Sequence, residues 1–506
     1  MPRYKPYDYR QQQLMSISLE NQIRPGTMEY VIHHLVENEL DFSQIEAEYK
    51  NDDTGRPAID PRILFKIILL AYSKGITGSR KIEQASKENI LFMALSCGQA
   101  PDHSTIAAFV SGMTDQIMPL FQKVLLVCDS QGLLSGTHFS LDGLKLPSNA
   151  SKEWSGTFNE LSAKKSKLDD RLKRLMSDHM SQDKDTSGSD DDHDRRDRQL
   201  KKLKRSSERI QKFLDSNEPR MGARNKEKKS NITDNDSAKM STSHGVIQGY
   251  NAQALVDEKH QIIVHGSASG KGQDNDQLEQ IMEGAKANME AIGQGSDYFE
   301  GRQLSADSNY HSNTNLKTVI LEKLDAYIPD NLFRKRDSRF KTRDRHKPKT
   351  KSKIRYELDK FTYDPQTDSY TCPAGGQLTL YVKRNKINGI VYRTYRSPIS
   401  NCSDCKLRSE CLRTKNTIRR QLNIQIEHNI PKTLSQKMIA KIDTSESGRI
   451  YEKRIGVVEP VFGNIRACKQ LNRFTLRSQA KVDVQWLLFC MVHNVEKLLN
   501  YGTLGV

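Results

Sequence analysis

Apolar residues recur at helical spacing through the first 130 residues, and the period changes downstream. Asp60-Pro61 reads as an N-cap and first-turn proline ahead of the apolar run Arg62 to Tyr72, which Gly75 stops. Ser79 is expected to cap a second periodic stretch that reaches Leu95. Pro101-Asp102-His103-Ser104 then breaks the pattern before Thr105 to Val110 and a longer helix, Gln116 to Val127. Residues 1–130 are therefore expected to form an all-α N-terminal domain. Its short helices carry Arg56, Arg62, Arg80 and Lys81, which suits contact with DNA; simple helix packing produces the same pattern.

Beyond this region the period shortens. His138-Phe139-Ser140-Leu141-Asp142-Gly143 reads as a short strand ending in an acid. Gly245 to Val256 and Gln261 to His265 read as a second and a third strand. Asn275 to Ile292 reads as a helix with Leu278, Ile281, Met282 and Ala285 on one face. Gly301 to Asp307 is another strand-like run ending in acid, and Leu324 to Ile328 supplies a further strand. Three antiparallel strands, a helix and then a parallel strand is the order of an RNase H-like core. The expected fold class is thus α/β, with that core in residues 131–150 and 233–333.

Two insertions interrupt it. In 151–232, Leu161, Leu168 and Leu175 repeat every seven residues, Leu203 and Ile210 do the same, and Asp183 to Asp197 between them is rich in Asp, Ser and Gly. This spells two charged helices in a hairpin, an inserted arm. The second insertion, 334–430, opens with twelve Lys or Arg against two Asp between Arg334 and Arg355, and it holds four cysteines. Residues 431–506 complete the core, with Trp486 to Met491 on a buried C-terminal helix.

Composition points to a partner. The net charge is +16 and the pI about 9.3, so a polyanion, nucleic acid first, is expected. Apolar residues are 36%, below the usual ~45–50%, which fits solvated appendages on a core. No apolar run reaches the ~18 residues that span a bilayer, and Ile63 to Tyr72 is broken by Lys66. Met1-Pro2-Arg3-Tyr4-Lys5 has no apolar leader core. A cytoplasmic protein with reduced cysteines and no membrane partner is expected.

The candidate chemistry rests on three acids. The run Val457 to Arg466 sets Glu459 in an apolar stretch, with Tyr451 and Arg454 upstream. At 100° per residue Ile455, Glu459, Phe462 and Arg466 share a helical face. That offers a carboxylate for a divalent cation and a guanidinium for a phosphate; an amphipathic core helix with a solvated Glu fits equally. Pro460 costs about 3 kcal/mol inside a helix, so a kink or a helix start is expected there. Asp142 and Asp307 end strands that the inferred topology makes neighbours. Three converging carboxylates repel one another, and divalent ions relieve that repulsion. Two ions about 4 Å apart would serve an in-line phosphodiester displacement, and hard oxygen donors select Mg²⁺ or Mn²⁺.

Cysteines form a second constellation. Cys372, then Cys402-x₂-Cys405-x₅-Cys411, is a candidate site for structural Zn²⁺; reduced cysteines in a loop-rich insertion fit the same spacing. Cys97, Cys128, Cys468 and Cys490 lie in apolar surroundings and are expected in the core.

Five segments, in order, carry a resemblance. They are Gly55-Arg56-Pro57 through Asp60-Pro61-Arg62 with Ser79-Arg80-Lys81-Ile82-Glu83 and Pro101-Asp102-His103-Ser104-Thr105; Leu141-Asp142-Gly143 with Asn149-Ala150-Ser151; Gly249-Tyr250-Asn251-Ala252-Gln253; Ala306-Asp307-Ser308-Asn309-Tyr310; and Val458 to Asn464 with Arg473-Phe474 and Arg477. The chain resembles a DDE transposase of a bacterial insertion sequence, in the branch whose third acid sits in a Tyr-Arg-Glu-Lys motif. The resemblance implies that Asp142, Asp307 and Glu459 are the catalytic, metal-binding acids, with Mg²⁺ or Mn²⁺ as two ions. Tyr451, Arg454 and Arg466 take the auxiliary Tyr, Arg and Lys places. Arg466 replaces a lysine, and four residues rather than three separate Arg454 from Glu459. Asn309 and Ser478 stand where glycine is commoner. The implied activity is binding of terminal inverted repeats, cleavage at the element end and strand transfer, by a homodimer on double-stranded DNA. The basic stretch led by Arg334, Lys335 and Arg336 would contact the DNA backbone. The alternatives are an endonuclease without strand transfer and a non-catalytic DNA-binding derivative.

Overall fold

The computed structural model describes residues 16–49, 57–182, 190–222, 225–242, 245–340, 356–387, 390–412, 414, 416–426 and 433–504. Arg56, the centre of the hairpin (183–189) and most of the basic run (341–355) lie outside the described residues. The chain divides into two compact units, Met1–Asn331 with Met438–Val506, and Leu332–Lys437.

The first unit opens with helices α1 (Met28–His34), α2 (Pro61–Ser73), α3 (Ser79–Glu88), α4 (Ile90–Leu95), α5 (His103–Gly112) and α6 (Ile117–Ser130). Asp60 caps α2 through Oδ1, which accepts from Arg62 N at 2.7 Å, and Gly75, at φ +73°, turns the chain after it. The stretch expected as one helix from Ser79 to Leu95 is two. Gly78, not Ser79, is the N-cap of α3, and Asn89 takes extended backbone angles and caps α4 through Oδ1 to Leu91 N (2.9 Å). An Asn side chain competes with the helix for its own backbone, so the period continues while the helix stops.

The sheet follows. Its strands are β1 (His138–Pro147), β2 (Ala238–Thr242), β3 (Gly245–Asp257), β4 (Ile263–Ser269), β5 (Gln303–Ala306) and β6 (Asp325–Tyr327). β3 pairs antiparallel with β1 along one edge, and with β2 and then β4 along the other. β5 lies parallel to β1 and β6 parallel to β5. The strand expected to end at Asp142 runs on to Pro147, because its ladder with β3 continues from Asp142↔Ala254 to Pro147↔Gly249. Helix α9 (Leu278–Ala291) precedes β5, and α10 (Asn313–Leu321) follows it.

Between β1 and β2 runs the hairpin of α7 (Phe158–Gln182) and α8 (Asp190–Ser216), whose Leu161, Ile210 and Phe213 form a small apolar cluster with Ile232. Two C-terminal helices close the unit, α11 (Ser445–Gly463) and α12 (Gln479–Tyr501). α12 is buried on nearly every side from Val484 to Val495, packing on β4 and on the N-terminal helices. Tyr72 meets Phe489 with ring centroids 4.9 Å apart. Asn494 brackets Ile263, accepting from its N and donating to its O, each at 2.9 Å.

The second unit holds an antiparallel sheet of β7 (Thr362–Asp364), β8 (Ser369–Thr371), β9 (Gln377–Ile387), β10 (Ile390–Arg396) and β11 (Gln421–Gln425). Its buried cluster is Phe361, Tyr370, Leu378, Tyr395 and Leu422. Cys128 and Cys490 are buried as expected, whereas Cys97 and Cys468 are exposed: both sit at helix ends, where neighbouring apolar residues turn inward without them.

Candidate active site

Parallel pairing sets the first two acids side by side. Leu141 of β1 is in register with Ala306 of β5, so the next residues, Asp142 and Asp307, emerge together. Asp142 Oδ1 accepts from Gly143 N and its Oδ2 from Arg454 Nη1, both at 2.8 Å. Asp307 caps the short turn Ser308–Tyr310, accepting from Asn309 N at 2.7 Å and from Asn309 Nδ2 at 3.1 Å. Burial, and then the charge of Asp142, pushes the Asp307 carboxyl above the usual carboxylate range; Arg454 opposes this.

Arg454 arrives on α11. Thr444 caps that helix through its hydroxyl, and Ser447, Gly448, Tyr451, Arg454, Val458 and Val461 form its buried stripe against the sheet. Arg454, 6% exposed, lies beside the ring of Tyr451. The face expected to carry the chemistry (Ile455, Glu459, Phe462, Arg466) is instead turned outward at Ile455, Glu459 and Arg466, while Phe462 stacks on Trp486 at 6.3 Å. Nor does Pro460 start the helix. It sits in the last turn, and the Gly456 carbonyl that its missing N–H leaves open accepts from Gln261 Nε2 at 3.0 Å. That outside donor lets α11 run through the proline into a π-turn, Asn464–Cys468.

Glu459 stands five residues beyond Arg454, which is about 140° round the helix and about 7.5 Å along it. It is exposed. Among the described residues no three His, Cys, Asp or Glu side chains are grouped to hold a metal ion. Arg466 is exposed on the π-turn, and Arg334, Lys335 and Arg336 are exposed on a short helix, Phe333–Arg336, of the second unit.

A third acid near the pair escaped the sequence reading. Asp274 is 5% exposed, and its Oδ1 accepts from Asn251 Nδ2 (2.6 Å) and Gln253 Nε2 (2.8 Å). Burial pushes its carboxyl up, and the charge of Asp142 adds to the effect. Gly143 allows the close approach: a Cβ there would stand 2.7 Å from Asn251 Oδ1 and 3.4 Å from Asp274 Oδ1. The signal was present in β3, where Asn251 and Gln253 put two amides on one face of a strand buried from Gln248 to Asp257 and so require partners. Asp274 borders an open cleft of ≈ 660 Å³ that Lys145, Lys239, Ser308, Asn309 and His311 also line.

The segment after α11 braces β1. Arg473 Nε donates to Ser148 O (3.1 Å), Arg477 Nε to Asn149 O (2.9 Å), and Asn149 Nδ2 to Thr475 O (2.8 Å). Ser478 follows at φ +70°, a conformation that accounts for glycine being commoner there.

Two family models match the chain. The Transposase domain (DUF772) matches residues 17–112, the helices before the sheet. The Transposase DDE domain matches residues 371–499, which include Glu459 but neither Asp142 nor Asp307. No curated protein matches the chain. No helix of the described residues is long and apolar enough to cross a membrane. With transposase domains matched towards both ends, and Asp142 and Asp307 set side by side between them, the chain is a DDE transposase of an insertion sequence, an enzyme of metal-dependent DNA cleavage and transposition.

Proposed function

We propose that this transposase binds the terminal inverted repeats of its own element, cleaves at the element ends and joins the freed 3′-hydroxyls to target DNA. The observation that carries the reading is the register that sets Asp142 beside Asp307 with Arg454 across from them. We take the sheet for an RNase H-like core, from its strand order and its pairing directions.

Asp142 and Asp307 fit Mg²⁺ or Mn²⁺. Their donors are hard oxygens, and two neighbouring carboxylates face a single guanidinium, with Asp307 pushed up by burial and then by the charge of Asp142. Ions held there would activate the attacking water or 3′-hydroxyl and stabilise the leaving oxygen. Arg454 orients Asp142 and balances its charge. Glu459 supplies the third carboxylate in the DNA-bound state. Tyr451, Arg466, Lys145 and Lys239 position the scissile strand, and Arg334, Lys335 and Arg336 hold the flanking backbone. Because two element ends must be paired, two copies act together on the DNA.

A duplex carrying the element end tests this. The protein should nick it at the boundary, and a pre-cleaved end should be joined to plasmid DNA and appear as a slower band on a gel. Cleavage without joining would make the enzyme an endonuclease, and binding without either would make it a non-catalytic descendant.

A further inference from the structure

We infer that Cys372, Cys402, Cys405 and Cys411 bind one structural zinc ion inside the second unit. All four thiols line a single small cavity of ≈ 20 Å³, about the space of one water-sized sphere. Cys402 is buried and the other three are half-buried, and none is in a disulfide.

Cys372 sits on a knuckle shaped for a thiolate. Its N donates to Gly376 O, and Gly375 N donates to its O, each at 2.8 Å. Gly375 takes φ +80°, which lets the backbone fold back so that Gly376 N points at Cys372 Sγ, 3.2 Å away. An N–H aimed at sulfur favours the charged form of the ligand. The other three thiols come from two four-residue helices, Ser400–Ser403 and Arg408–Cys411, and the turn between them. Two arginines tie these pieces together. Arg420 donates to Cys411 O (3.0 Å) and Tyr356 O (2.8 Å), and Arg408 donates to Cys402 O and Thr417 O.

The unit has reason to need a staple. Among the described residues its buried apolar cluster numbers five, and helices of one turn do not hold themselves. Four thiolates select zinc over the hard ions proposed at the carboxylates. In this structure the four sulfurs line one cavity without being drawn into a metal-holding group; zinc would draw them to about 2.3 Å from itself, and each ligating thiol would give its proton to solvent.

The test is metal content and thiol protection on the full chain purified from cells, neither of which depends on transposition. Elemental analysis should find about one zinc per chain. It should remain in D142N and fall at least about tenfold in the double variant Cys402→Ser, Cys405→Ser. Iodoacetamide should label the exposed Cys97 and Cys468 first and leave the four cavity thiols unlabelled until a strong chelator is added. That second readout stands even if the double variant fails to fold. Protein that is zinc-free as isolated, zinc retained by the double variant, cavity thiols labelled as fast as Cys97, or disulfides in place of thiols would each overturn the assignment.

Discussion

Asp483 shows how burial sets the behaviour of a single side chain. It is half-buried near the start of α12, accepting a hydrogen bond from Ala268 N (2.5 Å), and desolvation pushes its carboxyl up from 3.8 to about 7. The neutral form is therefore favoured in the folded state. Its contribution to stability is complete below the unfolded value of 3.8 and is lost as pH rises through about 7. Asp483→Asn keeps the neutral shape, so its advantage in urea midpoint should grow between about pH 4 and pH 7, to a few kcal/mol at most. Parallel pH profiles for the two proteins would refute this. Ser478 stores a different cost, a left-handed backbone in a residue with a Cβ. Ser478→Gly should stabilise the protein by about 1 kcal/mol, seen as a higher urea midpoint with unchanged slope. The sequence already held the clue, since glycine was the expected residue there; only the φ angle explains why.

α11 is the element where pattern and structure part most instructively. Counting at 100° per residue put Glu459 on a working face with Arg466, yet the sheet receives the stripe containing Tyr451, Arg454 and Val458. A period fixes which residues share a face. Which face turns inward depends on what packs on it, and that is long-range information. Pro460 was legible as an anomaly but its remedy was not, because Gln261 lies 195 residues away from the carbonyl it caps. Gln261→Asn, too short to reach Gly456, should cost about 1 kcal/mol in the wild type. In a Pro460→Ala background, where an N–H returns to the helix, the cost should shrink by about half or more in a double-mutant cycle of unfolding free energies. Equal costs in both backgrounds would show that the Gln261 bond does not replace the missing one. The strands were easier to read, because alternation marks β1 and β5 locally, although β1 runs on past Asp142 to Pro147. The amide pair Asn251 and Gln253 went unread because its partner, Asp274, lies in the turn after β4, where no period points to it.

For the whole molecule, charge and catalysis make separate demands. A net charge of +16 implies DNA affinity that falls steeply with salt, and residues that touch phosphate set the slope. Arg466→Ala should reduce the slope of log K against log salt by about 1 in a fluorescence-anisotropy titration, and no change would remove Arg466 from the DNA contact. Neither basic charge nor the N-terminal helices cut DNA. That task is assigned to carboxylates brought together from opposite sides of the hairpin insertion, an arrangement visible in sequence only as two acids at strand ends. The most direct measurement is Mg²⁺-dependent nicking of an element-end duplex by wild type, Asp142→Asn and Asp307→Asn at equal DNA occupancy. The account predicts that either substitution lowers the nicking rate by at least about 10³-fold while DNA binding is kept, and that a chelator abolishes nicking by the wild type. Nicking by either variant within about tenfold of the wild-type rate would contradict it.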